Sequence, residues 1–182
     1  MVASPPRPAG SVANRRVPGR RAVLAGLTGA FLFNRSVVAQ GFEALAGHPF
    51  EEYRHAAELF RQGDREQAVF LFYRGQLRAR IHLAARPELP RDGDPALFAS
   101  LSEAVGRPIN EWAFGDIPAL AGILDRVLAW HAANDDPFTP KSRFGAAHAE
   151  VRRGLAGLRR QIVAEQESIR AQRRANGLAN RS

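Results

Sequence analysis

Cysteine is absent from the chain, and lysine and methionine each occur once among its 182 residues. Without cysteine the protein has no disulfide bond, no catalytic thiol, no thiolate-ligated iron–sulfur cluster and no lipid anchor at a lipobox cysteine. Packing and polar contacts alone must therefore hold its fold. Arginine outnumbers lysine 25 to one. We attribute this bias to the base composition of the source genome and give it no functional weight.

Acidic residues are missing from positions 1–39, which carry six arginines; the first carboxylate is Glu43. The formal net charge of the whole chain is +8, but residues 40–182 contain 20 basic and 18 acidic residues, a net charge of +2. The basic excess therefore indicates a targeting segment and argues against a nucleic acid partner. Residues 40–182 have the length of one ordinary domain.

The amino-terminal segment has the layout of an export signal. Arg20 and Arg21 precede an apolar run over residues 22–33, which as a helix spans roughly 18 Å and is too short for the ~30 Å core of a bilayer. A run of this length is typical of the apolar region of a signal peptide. The small residue Ala39, with the acceptable Val37 two positions before it, predicts cleavage between Ala39 and Gln40.

Paired arginines before a modest apolar stretch resemble twin-arginine (Tat) signal peptides, with Val23 standing where phenylalanine is most common. The resemblance implies that the protein is exported in a folded state to the periplasm and that residues 1–39 are a cleavable signal. An uncleaved signal anchor, a general secretory signal and a mitochondrial transit peptide stay open as alternatives.

Apolar residues beyond position 48 recur at helical spacing, and no pattern of paired strands is present. The spacing predicts an all-α bundle of about five helices over residues 40–170, followed by a polar tail over 171–182 that frays. The predicted helices cover about 49–63, 64–85, 96–105, 116–134 and 140–170. The second is apolar on most sides and is expected at the centre of the domain.

The helix boundaries follow from capping and breaking residues. Asp64 with Gln67 has the pattern of a capping box, and Asp116 and Thr139 are predicted to cap the last two helices. The sequence Gly106-Arg107-Pro108 is predicted to end the third helix, because proline inside a helix removes a backbone donor.

The first two helices are similar to a tetratricopeptide-type (TPR) pair over about residues 50–85. The resemblance rests on Gly63-Asp64 at the turn, followed by Ala68, Phe72 and Gly75. It departs at Arg80, where such repeats have a proline, and no second copy follows. The resemblance implies close packing of two helices around Phe72 and does not imply the peptide-binding groove of a repeat array.

Candidate ligands for a metal ion are few. Glu52 and His55 have the Glu-x-x-His spacing that places a carboxylate and an imidazole on one helical face, but carboxylate-bridged sites need two such motifs. They are weak metal candidates, to which His48 could add a ligand. His131 lies near Asp135 at the end of a helix, where the helix dipole favours a cationic imidazole. No catalytic residue and no cofactor are assigned.

Two features are candidates for contact with a partner. Trp112 and Phe114 lie in a short link between helices, where they either fill the core or face a partner. The last helix carries a basic stripe that includes Arg152, Arg159, Arg170 and Arg173. Residues 141–182 have a net charge of +7 and residues 40–140 a net charge of −5, so the stripe is either a solvated face or a docking surface for an acidic partner or anionic lipid.

These observations favour a periplasmic, non-catalytic helical protein that acts by binding another protein. Membrane contact is expected only through the signal peptide, and nucleic acid is not an expected partner. The alternative is a small Tat-exported enzyme or a metal- or cofactor-binding protein.

The export signal gives the first testable prediction. Changing Arg20→Lys together with Arg21→Lys is expected to block export, and the mature protein is expected to begin at Gln40. Cell fractionation and amino-terminal sequencing of the exported form measure both. Continued secretion of the double variant would contradict the Tat assignment.

Overall fold

The computed structural model describes residues 47–182, all of whose regular elements are helical. The predicted all-α class is thereby confirmed. The signal segment with Arg20, Arg21 and Ala39 lies outside the described residues. The helices are α1 (Glu51–Gln62), α2 (Arg65–Ala85), α3 (Asp94–Leu101), α4 (Arg107–Ala113), α5 (Ile117–Ala133), α6 (Lys141–Ala164) and α7 (Gln166–Ala175), and a π-helical turn (Ser102–Gly106) joins α3 to α4.

Helices α1 and α2 form a hairpin whose turn is made by Gly63. Its φ of 92° lies in the left-handed region that glycine occupies without strain. The helices also approach closely at Gly75, where an added Cβ would lie 2.8 Å from the Cβ of Glu52. The predicted close packing of the pair is thus present, with Phe72 fully buried. Its membership of the tetratricopeptide type stays a prediction.

Helix α2 lies at the centre of the domain, as its sequence predicts. It packs against α1, α5 and α6, so its apolar side chains are covered on several sides. Its buried residues are Ala68, Val69, Phe72, Tyr73, Gly75, Leu77, Ala79, Ile81 and His82. Burying a large apolar side chain contributes roughly 1.5–3 kcal/mol, so the buried residues of this helix contribute strongly to the stability of the domain.

Of the three predicted helix caps, one forms through its side chain. Asp116 accepts a hydrogen bond from the backbone N–H of Ala119 at 3.0 Å. Asp64 occupies the cap position of α2 but makes no side-chain capping bond, so the predicted capping box is wrong. Thr139 is fully buried and precedes the cap position, which Pro140 occupies.

The predicted break at Gly106-Arg107-Pro108 is also wrong, because the chain stays helical from Asp94 to Ala113. A π-helical turn changes the hydrogen-bond register just before the proline. Pro108 thereby falls in the first turn of α4, where a missing N–H leaves no helical bond unmade. Trp112 consequently lies in α4 and Phe114 at its end, and not in an open link.

The long last helix of the sequence prediction is two helices, α6 and α7, which meet at Glu165. The tail that was expected to fray beyond Arg170 is helical through Ala175, and the chain then turns back. The backbone N–H of Arg181 donates to the carbonyl of Gly115, and that of Leu178 to the carbonyl of Arg173. No helix within residues 47–182 combines the length and the apolar character that spanning a bilayer requires.

The chain packs against Phe72 at Gly106, where there is no room for a side chain, and this gives a stability prediction. A Cβ on Gly106 would lie 2.7 Å from Cζ of the fully buried Phe72 ring. We expect Gly106→Ala to destabilise the protein by about 1–3 kcal/mol, because a packed ring must shift to make room. Urea unfolding measures this change.

The matched control is Gly122→Ala on α5, where the added Cβ meets no atom within 4 Å. There the substitution is expected to be neutral or to stabilise by about 0.5–1 kcal/mol. Combining Gly106→Ala with Phe72→Leu should cost less than the sum of the two single changes. Additive costs would show that the two residues do not compete for the same space.

Candidate functional site

The loop over residues 134–140, between α5 and α6, is where buried polar groups from several elements meet. Four of the five histidines contact this loop or one another beside it. Polar side chains that are buried away from water must form hydrogen bonds or ion pairs with one another. The contacts divide into an ion network, a cluster of two histidines with an aspartate, and a histidine pair.

The ion network is centred on Arg78. Its guanidinium donates to both carboxylate oxygens of Asp136, at 2.9 and 3.0 Å, and to Oε1 of Glu52 at 2.6 Å. Arg74 donates to the other oxygen of Glu52 at 2.7 Å. Burial acts to raise the pKa of Asp136, but the hydrogen bonds and charge of Arg78 hold that pKa below its ordinary value. The network joins α1, α2 and the loop.

The predicted pair of metal candidates is not brought together. The Glu52 carboxylate, with a side chain only 7% exposed, is used by Arg74 and Arg78. The His55 ring instead lies beside Arg54, whose Nη2 is 2.7 Å from its Nε2. Glu52 and His55 therefore contact different arginines and do not form a common site.

A different group, which we call the His–Asp cluster, consists of His48, His82 and Asp94. The Nε2 atoms of His82 and His48 lie 2.6 and 3.5 Å from the same oxygen, Oδ2 of Asp94. The ring of Phe138 packs against both imidazoles, at centroid distances of 4.6 and 5.0 Å. Burial lowers the pKa of His48 against the opposing effect of Asp94. The cluster brings three metal-ligating atoms within 4.8 Å of one another.

The imidazole nitrogens that face away from Asp94 accept hydrogen bonds. Nδ1 of His48 accepts from the backbone N–H of Phe50 at 3.3 Å, and Nδ1 of His82 faces Nη1 of Arg86 at 2.8 Å. Because guanidinium can only donate, the neutral His82 ring carries its proton on Nε2 and donates it to Asp94. His48 has the same tautomer, because the backbone N–H of Phe50 can likewise only donate.

The other buried imidazoles, His131 and His148, form a stacked pair with Nε2 of His131 2.8 Å from Nδ1 of His148. Nε2 of His148 lies 2.8 Å from the carbonyl of Thr139 and must donate to it. His148 therefore accepts at Nδ1, and His131 donates from Nε2. Its remaining nitrogen, Nδ1, is buried with no hydrogen-bond partner. His131 thus pairs with His148 and not with Asp135, contrary to the sequence prediction.

The single lysine of the chain has a defined role. Nζ of Lys141 donates to the carbonyls of His131 and Asn134, each at 2.6 Å, and contacts that of Ala132 at 3.4 Å. An ammonium group has three donors that can be directed at the converging carbonyls of a helix end. The lysine therefore satisfies carbonyls at the carboxyl end of α5.

The predicted aromatic contacts lie against arginines of the same chain. The Arg181 guanidinium stacks on the Trp112 ring at 3.7 Å and donates to the Trp112 carbonyl. Arg65 approaches the same ring at 5.9 Å, and Phe60 packs edge-on at 6.5 Å. Trp112 and Phe114 are both partly buried, so the returning tail covers much of this region.

Most of the predicted basic stripe is also used within the chain. Arg159 makes a two-pronged ion pair with Asp125. Arg170 pairs with Glu167 and with the hydroxyl of Ser182. Arg173 is only 9% exposed and donates to the carbonyls of Glu111 and Ala179. Of the four arginines, Arg152 alone stays exposed without a hydrogen bond or ion pair in the described part of the chain.

An apolar groove of about 580 Å³ lies between α2 and α6 and is closed on one side by Phe98 of α3. Its volume is within the range of ligand-binding sites. Along α6 it runs past Gly154, where an added Cβ would meet no atom within 4 Å. The other lining residues are Gln76, Leu77, Arg80, Leu83, Ala84, Glu150, Val151, Leu155 and Leu158. The helical spacing of Val151, Leu155 and Leu158 predicts an apolar face on the last helix, but spacing alone does not show that the neighbouring helices leave this face partly uncovered.

The histidine pair predicts a specific pH dependence. Burial first, and then the charges of Lys141, His148 and Arg152 against that of Asp135, lower the pKa of His131 from 6.5 to about 4. Between these values the unfolded chain binds a proton that the folded chain excludes. The stabilisation from neutral His131 is therefore complete above about pH 6.5 and is lost as the pH falls toward 4.

We expect wild type to lose roughly 2 kcal/mol more stability than His131→Gln between pH 7.5 and 4.5, because the amide can donate to His148 and does not titrate. Urea unfolding of both proteins across this range measures the difference. Parallel pH dependences would contradict the assignment.

Comparison with known proteins finds no match for the chain among protein-family models, curated proteins or solved structures.

Proposed function

We propose that the protein is an exported, periplasmic, non-catalytic accessory protein that binds an amphipathic helix of a partner protein in the groove between α2 and α6. The observation that carries this proposal is the groove itself. It exposes leucine, valine and phenylalanine side chains in one continuous depression between helices. The amino-terminal Tat-like pattern supports the location.

The shape and lining of the groove favour a helix as occupant. Two helices form its walls, and a partner helix can insert a stripe of apolar residues spaced three and four apart between them. The apolar floor includes Leu83, Leu155 and Leu158, which are half-buried. Completing their burial would supply the favourable free energy of association.

Charges at the groove favour a partner with both signs flanking its apolar stripe. Arg80 on α2 and Glu150 on α6 are exposed, and neither forms an ion pair with another residue in the range 47–182. Arg80 is held over the Phe98 ring at 5.3 Å, so its charge is positioned at the groove. A carboxylate of the partner near Arg80 and a basic group near Glu150 would match this pattern.

The test uses a displayed library of 18-residue amphipathic helices with a leucine, isoleucine and phenylalanine stripe, selected on the full-length mature protein. We expect selected peptides to bind wild type and to lose at least tenfold in affinity for Gly154→Leu, which fills the groove. Gly145→Leu is the matched control, since it is also on α6 and has open space around the added Cβ. Fluorescence anisotropy measures each affinity.

The charge of Arg80 at the groove allows a second test of the proposed binding mode. Arg80→Glu should weaken peptides that carry an acid beside the stripe, and exchanging that acid for lysine should restore binding. The proposal is wrong if no selected peptide distinguishes Gly154→Leu from Gly145→Leu, since both variants keep the groove-forming helices.

A further inference from the structure

We propose that His48, His82 and Asp94 form a binding site for a divalent transition metal ion of the zinc type, independent of the α2–α6 groove. Each ligand comes from a different part of the fold. His48 precedes α1, His82 lies in the last turn of α2, and Asp94 is the first residue of α3. A bound ion would therefore join three segments that are distant in sequence.

The two distances to Asp94 need only small adjustment, and all three ligand atoms lie within 4.8 Å of one another. Ligand atoms around a tetrahedral ion with bonds of about 2.0 Å are about 3.3 Å apart. His48 Nε2 and Asp94 Oδ2 are 3.5 Å apart, and His82 Nε2 is 2.6 Å from that oxygen. Replacing the hydrogen bonds by metal bonds thus moves His82 away from Asp94 by less than 1 Å. Three protein ligands leave a fourth position for water or another ligand.

The surroundings of the His–Asp cluster leave it open to an ion on one side and restrict the movement of its imidazoles. Side-chain exposure falls from 30% at Asp94 to 14% at His48 and 4% at His82, so an ion can approach from the side of the carboxylate. Phe138 and Phe50 pack against the imidazoles at 4.6–5.0 Å and restrict their rotation. Side chains whose rotation is already restricted lose less conformational entropy when they bind an ion.

The donor set determines the class of ion. Two imidazole nitrogens and one carboxylate oxygen suit zinc, copper, nickel and cobalt, whereas calcium and magnesium take oxygen ligands. Among ions of similar size, affinity is expected to rise from Co²⁺ to Cu²⁺ and to fall again at Zn²⁺.

Two donors oppose metal binding at this site: the backbone N–H of Phe50 at Nδ1 of His48, and Nη1 of Arg86 at Nδ1 of His82. Of the two, Arg86 is the one that can turn aside without a shift of the backbone. A metal bond at Nε2 of His82 moves the ring proton to Nδ1, which then needs an acceptor. Arg86 Nη1 instead presents a donor there, 2.8 Å away. The guanidinium must turn aside, and its second contact, from Nη2 to the carbonyl of Phe138 at 3.1 Å, shows where it can be held. A side chain with an acceptor at this position should bind the metal form better.

The experiment titrates the full-length mature protein, freed of metal by chelation, with Zn²⁺ by calorimetry and with Co²⁺ by visible absorption. We expect one ion per chain and the intense cobalt absorption of a site with four or five ligands. His82→Gln and Asp94→Asn should each weaken binding at least tenfold. His55→Gln, which changes a histidine outside the cluster, should leave the affinity within twofold of wild type.

Arg86→Gln is expected to raise the affinity for zinc, a change that misfolding of the variant cannot produce. Its amide oxygen can accept from Nδ1 of His82, so we expect zinc affinity to rise about tenfold, within the range of outer-contact effects on metal sites. Absence of a one-to-one complex in both wild type and Arg86→Gln would overturn the proposal. Equal zinc affinity in His82→Gln and wild type would also overturn it, whereas peptide binding in the α2–α6 groove should be unchanged in all these variants.

Discussion

The two-sided ion pair of Arg78 is the contact on which the polar end of the bundle depends. Its guanidinium bonds Glu52 of α1 and Asp136 of the 134–140 loop from the centre of α2. Both carboxylates are nearly buried, and Glu52 would keep Arg74, but removing Arg78 would leave the charge of Asp136 without an ion-pair partner. Breaking a buried pair in this way costs about 3–5 kcal/mol, far more than the loss of a surface pair. The network thereby fixes the position of the loop relative to α1 and α2.

Once Asp136 is fixed, the rest of the loop has little freedom. Phe138 is two residues further on and packs against His48 and His82, while the carbonyl of Thr139 receives His148. The loop thus connects the ion network to both histidine groups. A disturbance at Arg78 is therefore expected to reach the His–Asp cluster through Phe138, although Arg78 bonds none of the three cluster side chains.

Local sequence patterns predicted the helices well and the site poorly. The all-α class, the hairpin turn at Gly63 and the cap at Asp116 each depend on residues a few positions apart, which the sequence displays directly. The His–Asp cluster depends instead on positions 48, 82 and 94 meeting in space. Glu52 and His55 were favoured because their spacing is local, but the close approach at Gly75 places Glu52 beside the arginines of α2.

The same limit explains the two corrected helix boundaries. Proline is a local signal for a break, but a π-helical turn precedes Pro108, and Gly106 at the end of that turn lies against Phe72, 34 positions away. The tail beyond Arg170 reads as polar and unsupported, yet Arg173 is buried by carbonyls that the folded chain brings to it. Arginine is difficult to place from sequence, because its long stem can cover apolar surface while its head finds distant acceptors.

Helix α2 supplies both candidate binding regions, and this shared origin has a physical consequence. His82 in its last turn belongs to the His–Asp cluster, whereas Leu77, Arg80 and Leu83 line the groove. The helix is held between α1, α5 and α6, so it cannot shift freely in response to a ligand. Coupling between sites requires an element with two arrangements of similar free energy. A helix packed on so many sides lacks that property, and we therefore expect the groove and the cluster to bind their ligands independently.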